Sequence, residues 1–184
     1  YLTFGGFVEG PGRIRHAGEG SFRIGEPDGA DSARVQALAA AFSDLQPCAV
    51  TDNIFGYLWA KMVLGAVYYA TALLDRDVPE IYADPAALEL LGEAAREAAS
   101  VARANGIRLE DVDGFLPDAF ADGDAAGIAA SWQAQRAYWG AHVGNARTGI
   151  WRDLAVHRRK TECAAHVGAV IARRGAVPTP VLDR

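Results

Sequence analysis

Cysteine is scarce in this chain of 184 residues: Cys48 and Cys163 stand far apart and no CxxC pair occurs. That excludes a disulfide framework and a cysteine-based zinc motif, and it fits a reducing, cytoplasmic setting. Long basic runs are missing too. Its 18 Lys and Arg are outnumbered by 23 Asp and Glu, for a net charge of −5, so nucleic acid is not an expected partner. No charged stretch precedes an apolar run with a cleavage site, which argues against a signal peptide. Serine and cysteine nucleophile elbows are absent, and so is a Walker loop; Gly10-Pro11-Gly12 does not continue as GxGxxG. Metal-ligand spacing is poor. Glu162 and His166 share a helical face at i, i+4 without a third ligand, and His142 and His157 are isolated.

What the chain does have is alanine and apolar bulk. It is 51% hydrophobic and 22% charged, too apolar for a disordered chain and long enough for a large core. It holds 37 alanines, so helix is expected wherever Gly and Pro are absent. Residues 1–26 differ from the rest. Tyr1-Leu2-Thr3-Phe4, Arg13-Ile14-Arg15-His16 and Ser21-Phe22-Arg23-Ile24 read as short strands. Gly5-Gly6, Gly10-Pro11-Gly12 and Gly18-Glu19-Gly20 read as the turns between them.

From Asp31 onward the period is helical. Asp31 or Ser32 caps a helix with Val35, Leu38, Ala39 and Phe42 on one face, ended by Gln46-Pro47, and Cys48-Ala49-Val50 reads as a short strand. Asp52 or Asn53 caps a helix running to about residue 74 that is apolar nearly all round and is expected to be the centre of the core. A membrane span is rejected there, because Lys61 sits near its middle and no second apolar stretch accompanies it. Asp84-Pro85 opens the next helix and Gly106 stops it. Residues 107–124 read as an acidic loop, 124–141 as a helix, and 151–174 as one last helix ended by Gly175.

Two places could carry chemistry. Lys61 lies among Leu58, Met62 and Leu64, so it either snorkels to the surface with its stem packed or faces a polar cavity as an acid that also holds an anion. Gly65, Tyr68 and Tyr69 follow on the same stripe. The second place is Glu162, after Arg158-Arg159-Lys160-Thr161 and before Ala164 and Ala165, where a helix entering the core would bring a carboxylate in need of a cation such as Lys61. Asp153 reads as a first-turn dipole partner and the basic run as a solvated face.

These motifs together resemble the ketopantoate reductase (2-dehydropantoate 2-reductase) family, its helical C-terminal domain with the last strands of its Rossmann domain. Glu9-Gly10-Pro11-Gly12-Arg13-Ile14-Arg15-His16 with Ile24-Gly25-Glu26 resembles the closing strands. Leu58-Trp59-Ala60-Lys61-Met62 with Thr71-Ala72-Leu73, Arg159-Lys160-Thr161-Glu162, and the stretch from Gly175 to Pro180 resemble the motifs that follow. The resemblance implies a mainly α fold like the 6-phosphogluconate dehydrogenase C-terminal domain, with a short N-terminal β segment left from a Rossmann domain. It divides the chain into residues 1–28, terminal strands of a nucleotide-binding domain, and 29–184, a substrate and dimerisation domain.

By the same resemblance the activity is NADPH-dependent reduction of a 2-keto acid, hydride going to the keto carbon. Lys61 takes the place of the catalytic lysine that protonates the developing alkoxide. Glu162 takes that of the glutamate that contacts the substrate hydroxyl. Where the family carries asparagines four and eight residues after the lysine, this chain has Gly65 and Tyr69. Those two and Thr148 are the expected substrate contacts, and a keto acid bulkier or more aromatic than ketopantoate fits them better. The glycine-rich turn that would bind NADPH is expected upstream of Tyr1, outside these residues. A homodimer is expected, with Trp132, Tyr138, Trp139 and Trp151 in one region. A non-catalytic helical binding or oligomerisation module is the competing expectation.

Overall fold

The computed structural model describes residues 1–3, 5–17, 19–141 and 146–184. Phe4 of the first expected strand, Gly18 of the third expected turn, and His142 lie outside the described residues. Packing divides the chain into two compact units, Tyr1–Leu58 and Trp59–Arg184.

In the first unit β1 (Gly5–Gly10) and β2 (Arg13–Ala17) form an antiparallel hairpin, turned at Gly12 with φ 72°. Gly5 and Gly6, expected as a turn, belong to the strand instead, while Leu2 pairs with Phe22 in an isolated bridge outside any strand. Next come β3 (Phe22–Ile24), α1 (Ala33–Ser43) and β4 (Cys48–Val50). Strands β3 and β4 pair in parallel, Phe22 opposite Cys48 and Ile24 opposite Val50, with α1 as the crossover that parallel pairing requires. Phe22 is buried against Phe42 of α1, ring centres 4.8 Å apart. Gly25 is obligatory at the strand exit, because a Cβ there would stand 2.4 Å from the Thr51 carbonyl oxygen.

Ser32 caps α1: its hydroxyl accepts from the Val35 N–H at 3.1 Å and donates to Glu26 Oε1 at 2.6 Å. Arg34 grips the same buried carboxylate through two nitrogens. These bonds hold the Glu26 pKa below its ordinary value, the Arg34 bond most and the Ser32 bond next.

Helix α2 (Ile54–Ala72) begins under an Asn53 cap, whose side chain accepts from the Gly56 N–H at 3.2 Å. It is not buried all round as expected. Ala60, Val63, Val67 and Thr71, at i, i+3, i+7 and i+11, are buried, whereas Phe55, Leu58, Lys61 and Leu73 are exposed. A single inward stripe suffices for it.

The second unit's core is built instead on α4 (Pro85–Ala104), which follows α3 (Val78–Ala83). Asp84 accepts from the Ala86 N–H at 3.0 Å and Pro85 occupies the first helical position, as read from the sequence. Ala94, Ala95, Ala98, Ala99 and Ala102 make one side of α4 nearly flat, so neighbouring elements approach closely. The segment expected to be a loop carries α5 (Pro117–Asp122), and α6 (Ala125–Ala141) follows. Phe115, Phe120 and Trp132 pack with centres 5.1 Å apart from Phe115 to Phe120 and from Phe120 to Trp132, with Tyr82 5.8 Å from Trp132. Trp132 and Trp139 are thus internal, and Tyr138 is the exposed member of that group.

The last expected helix is two helices, α7 (Gly149–Ala155) and α8 (Cys163–Ala172). Arg158 adopts a left-handed φ of 50°, and the Arg159 N–H returns to the Asp153 carbonyl at 2.9 Å. Glu162 therefore stands at the start of a helix whose first turn is exposed, not inside the core as the sequence suggested. The chain closes on Glu97, which is fully buried in α4 and whose carboxyl group accepts from the N–H of Val181 and of Leu182 at 2.9 Å each. Among the described residues no helix is long and apolar enough to cross a membrane.

Two stability outcomes follow from these contacts. Replacing Glu97 by Leu strands two main-chain donors and is expected to cost about 3 kcal/mol in urea unfolding. Breaking the exposed Glu93–Arg96 pair with Arg96→Ala should cost under about 0.5 kcal/mol. The lowered Glu26 pKa stabilises the fold above its ordinary value of 4.5, and that contribution is lost as pH falls through the folded-state value. The melting-temperature gap between the native chain and Glu26→Gln should accordingly be full at neutral pH and shrink in acid.

Candidate functional site

Within the second unit a cleft of about 330 Å³ opens between the C-terminal half of α2, the start of α7 and the segment leading into α8. Tyr68 and Tyr69 supply the α2 wall, Thr148, Gly149, Ile150 and Asp153 the α7 wall, and Arg159, Thr161 and Glu162 the remaining side. Three of the residues expected from sequence, Tyr69, Thr148 and Glu162, therefore meet around one space.

The two tyrosines play different parts. Tyr68 donates its hydroxyl to Gln135 Oε1 at 2.9 Å and meets Trp139 edge-on, which ties it to α6; burial pushes its pKa far up. Tyr69 has its pKa raised to about 12, by burial first and then by Cys163, Glu162 and Asp153. Near neutral pH its phenol keeps its proton and is able to donate a hydrogen bond.

Thr148 is buried as the N-cap of α7, its hydroxyl accepting from the Trp151 N–H at 3.1 Å while its own hydrogen can still donate. The neighbouring Arg147 is occupied. Its guanidinium bonds Asp77 at 2.6 Å and Asp75 at 2.9 Å and lies 4.4 Å above the Trp151 ring. On the far side, the Thr161 hydroxyl accepts from the Cys163 N–H at 3.3 Å, and Glu162, the N-cap residue itself, makes no capping bond with its side chain. Its exposed carboxyl group forms no ion pair among the described residues. Arg159 instead pairs with Asp153, Nη2 to Oδ1 at 2.7 Å.

The other two expected residues stand apart from the lining. Lys61 is exposed on α2, two helical turns before Tyr69, about 12 Å along the axis at 1.5 Å per residue. Gly65 lies midway, and the His166 ring covers it: a Cβ at Gly65 would stand 3.1 Å from Nδ1. The imidazole centre is 5.9 Å from that of Tyr69, and Nδ1 is buried without a partner. Sequence reasoning missed the placing of Arg159, Asp153 and His166. A single helix over 151–174 separates Asp153 from Arg159 by a turn and a half, and the Thr161 hydroxyl ahead of Cys163 was the one local sign of a second helix start.

The arrangement offers the Tyr69 phenol and the Thr148 hydroxyl as donors, the Glu162 carboxyl group as an acceptor and an Arg159–Asp153 ion pair, with an apolar side at Tyr69 and Ile150. Residues 53–184 match the family model described as ketopantoate reductase PanE/ApbA C terminal. A 2-dehydropantoate 2-reductase of Halobacterium salinarum is 35% identical over 111 residues, 59% of this chain and 37% of that protein. The fold is shared with the 2-dehydropantoate 2-reductase of Geobacter metallireducens GS-15 at TM-score 0.78 and 22% identity, covering 100% of this chain and 56% of that one. It is shared as well with a D-mandelate dehydrogenase solved with NADH, at TM-score 0.77 and 22% identity, covering 99% and 57%. The chain thus spans well under two thirds of the length of each.

Because the Thr148 hydroxyl caps α7, Thr148→Val is expected to lower stability by about 1 kcal/mol in urea unfolding. Thr148→Ser keeps the cap and should stay within about 0.5 kcal/mol of the native chain.

Proposed function

The chain belongs to the ketopantoate reductase family, and on that premise we propose that it is the substrate-side part of an NADPH-dependent 2-keto acid reductase. What supports this reading most is the meeting of Tyr69, Thr148 and Glu162 around one cleft inside the matched residues. In this proposal residues 29–184 form the substrate and dimerisation domain and residues 1–28 the closing strands of a nucleotide-binding domain. Family membership alone carries the homodimer and the cytoplasmic setting, since Trp132 and Trp139 pack internally.

The described residues do not fit a dinucleotide. Gly12 turns one strand into another, where a pyrophosphate site requires a glycine-rich passage from strand to helix. NADPH is therefore assigned to a part of the full-length protein outside these residues.

On the substrate side each group has a definite task. In this reading the Lys61 ammonium, which does not line the cleft, reaches in from its exposed position on α2 on its flexible four-carbon stem and gives a proton to the oxygen that becomes the hydroxyl; that exposure lets it exchange the proton with solvent between turnovers. Glu162 accepts from the hydroxyl as it forms. The protonated Tyr69 and the Thr148 hydroxyl donate to the carboxylate, fixing which face of the keto carbon is presented. Gly65 and Tyr69, in place of two amide side chains, remove hydrogen-bonding groups and add an aromatic wall. The preferred substrate is accordingly a 2-keto acid with an apolar or aromatic side chain, ahead of ketopantoate.

In the full-length protein NADPH should be oxidised faster with phenylpyruvate than with ketopantoate. Lys61→Ala should lower kcat by about 10²–10⁴-fold, the range for a general acid. Undiminished turnover in that variant rules out the assigned acid. Failure of the native protein to oxidise NADPH with any 2-keto acid favours a non-catalytic module.

A further inference from the structure

Two locally unfavourable choices meet at one point of this chain. Gly65 is set inside α2, where only proline is a poorer helix former, and its backbone has no positive φ to account for it. His166 has its Nδ1 buried with no hydrogen-bond partner, a condition that folded chains rarely keep without cause. They are a single contact: a Cβ at Gly65 would lie 3.1 Å from His166 Nδ1 and 3.7 Å from Cε1, so bare helix backbone is what admits the imidazole. Local inconsistencies of this kind gather at functional places. This one lies just behind the cleft lining and outside it, with Tyr69, a lining residue, one turn beyond Gly65, Glu162, another, one turn before His166, and the His166 and Tyr69 rings 5.9 Å apart.

The chemistry of the cleft supplies a reason. A 2-keto acid brings only oxygen acceptors, yet the walls already hold the acceptors Glu162 and Asp153, and Arg159 is engaged by Asp153. Donors are few: the Tyr69 phenol and the Thr148 hydroxyl hydrogen.

We propose that His166 is a specificity-determining residue of this cleft, its ring turning over bare Gly65 to present Nδ1–H to a carboxylate or keto oxygen of the ligand. The ligand class rests on the reductase reading; the unsatisfied nitrogen and its notch do not. A side chain at position 65 obstructs the turn, so the glycine belongs to the same device although it offers no polar group.

In the full-length protein, His166→Ala should raise the KM for phenylpyruvate about tenfold, with kcat within about threefold and the KM for NADPH unmoved. His166→Asn, whose amide nitrogen stands where Nδ1 does, should restore most of that loss, and His166→Phe, which restores volume alone, should not. Gly65→Ala should raise the same KM. An unchanged KM in His166→Ala, or rescue by Phe and not by Asn, overturns the proposal. A readout free of turnover is the ¹⁵N shift of His166 Nδ1 during titration with oxamate, a non-reducible analogue of a 2-keto acid. Displacement of that signal supports the role, and a signal fixed to the solubility limit of oxamate overturns it. Displacement in a protein that never oxidises NADPH defeats the reductase reading and leaves the role of His166 standing.

Discussion

Arg158 holds its backbone in the left-handed region at φ 50°, and Arg159 folds back so that both its N–H and its guanidinium meet Asp153. The geometry of the cleft depends on that reversal. Were residues 148–162 one continuous helix, Thr148 and Glu162 would be about 21 Å apart along its axis, too far to border one small molecule. Broken at Arg158, the same residues face each other across a space of about 330 Å³. A non-glycine residue at positive φ costs on the order of 1 kcal/mol, and the Asp153–Arg159 contacts offset it at the same spot.

Opposite this irregular wall stands a regular one. Helix α2 sets Lys61, Gly65 and Tyr69 at steps of four, so one row holds a cation, a gap and an aromatic donor about 6 Å apart in turn. Its inward stripe of Ala60, Val63, Val67 and Thr71 anchors the row. Tyr68, one residue before Tyr69, is locked to Gln135, and that bond holds the end of α2 against α6 while its neighbour stays available. Charge follows the same division: Arg147 is saturated by Asp75 and Asp77, and the acid groups near Tyr69 oppose its ionisation.

Most of the α1, α2 and α4 boundaries could be read from caps and stops. Ser32, Asn53, Asp84-Pro85 and Gly106 all act as their side chains and backbone preferences dictate, because capping is a local matter. The helices α3 and α5 escaped notice: each is six residues long and opens beside a proline, which reads as a turn when taken alone. The break at Arg158 left little trace in the sequence beyond Thr161, since arginine is a good helix former and the reversal is held by contacts of Arg159 with Asp153, a pairing the sequence pattern did not identify. For the site, the expected residues were Lys61, Gly65, Tyr69, Thr148 and Glu162, of which Tyr69, Thr148 and Glu162 line the cleft and Lys61 and Gly65 do not. The covering of Gly65 by His166 was not, because a contact between two helices is a tertiary event.

The buried Glu97 ties the middle of the second unit to its far end, with Val181 and Leu182 lying 84 and 85 residues later in the chain. An acidic side chain in the flattest, most apolar part of α4 has no satisfactory place until those two amides arrive. Loop closure over such a span comes late, after local helices have formed. During synthesis, then, α4 emerges with a carboxylate whose two partners are still to be made, and Glu97 keeps its water until Val181 and Leu182 follow.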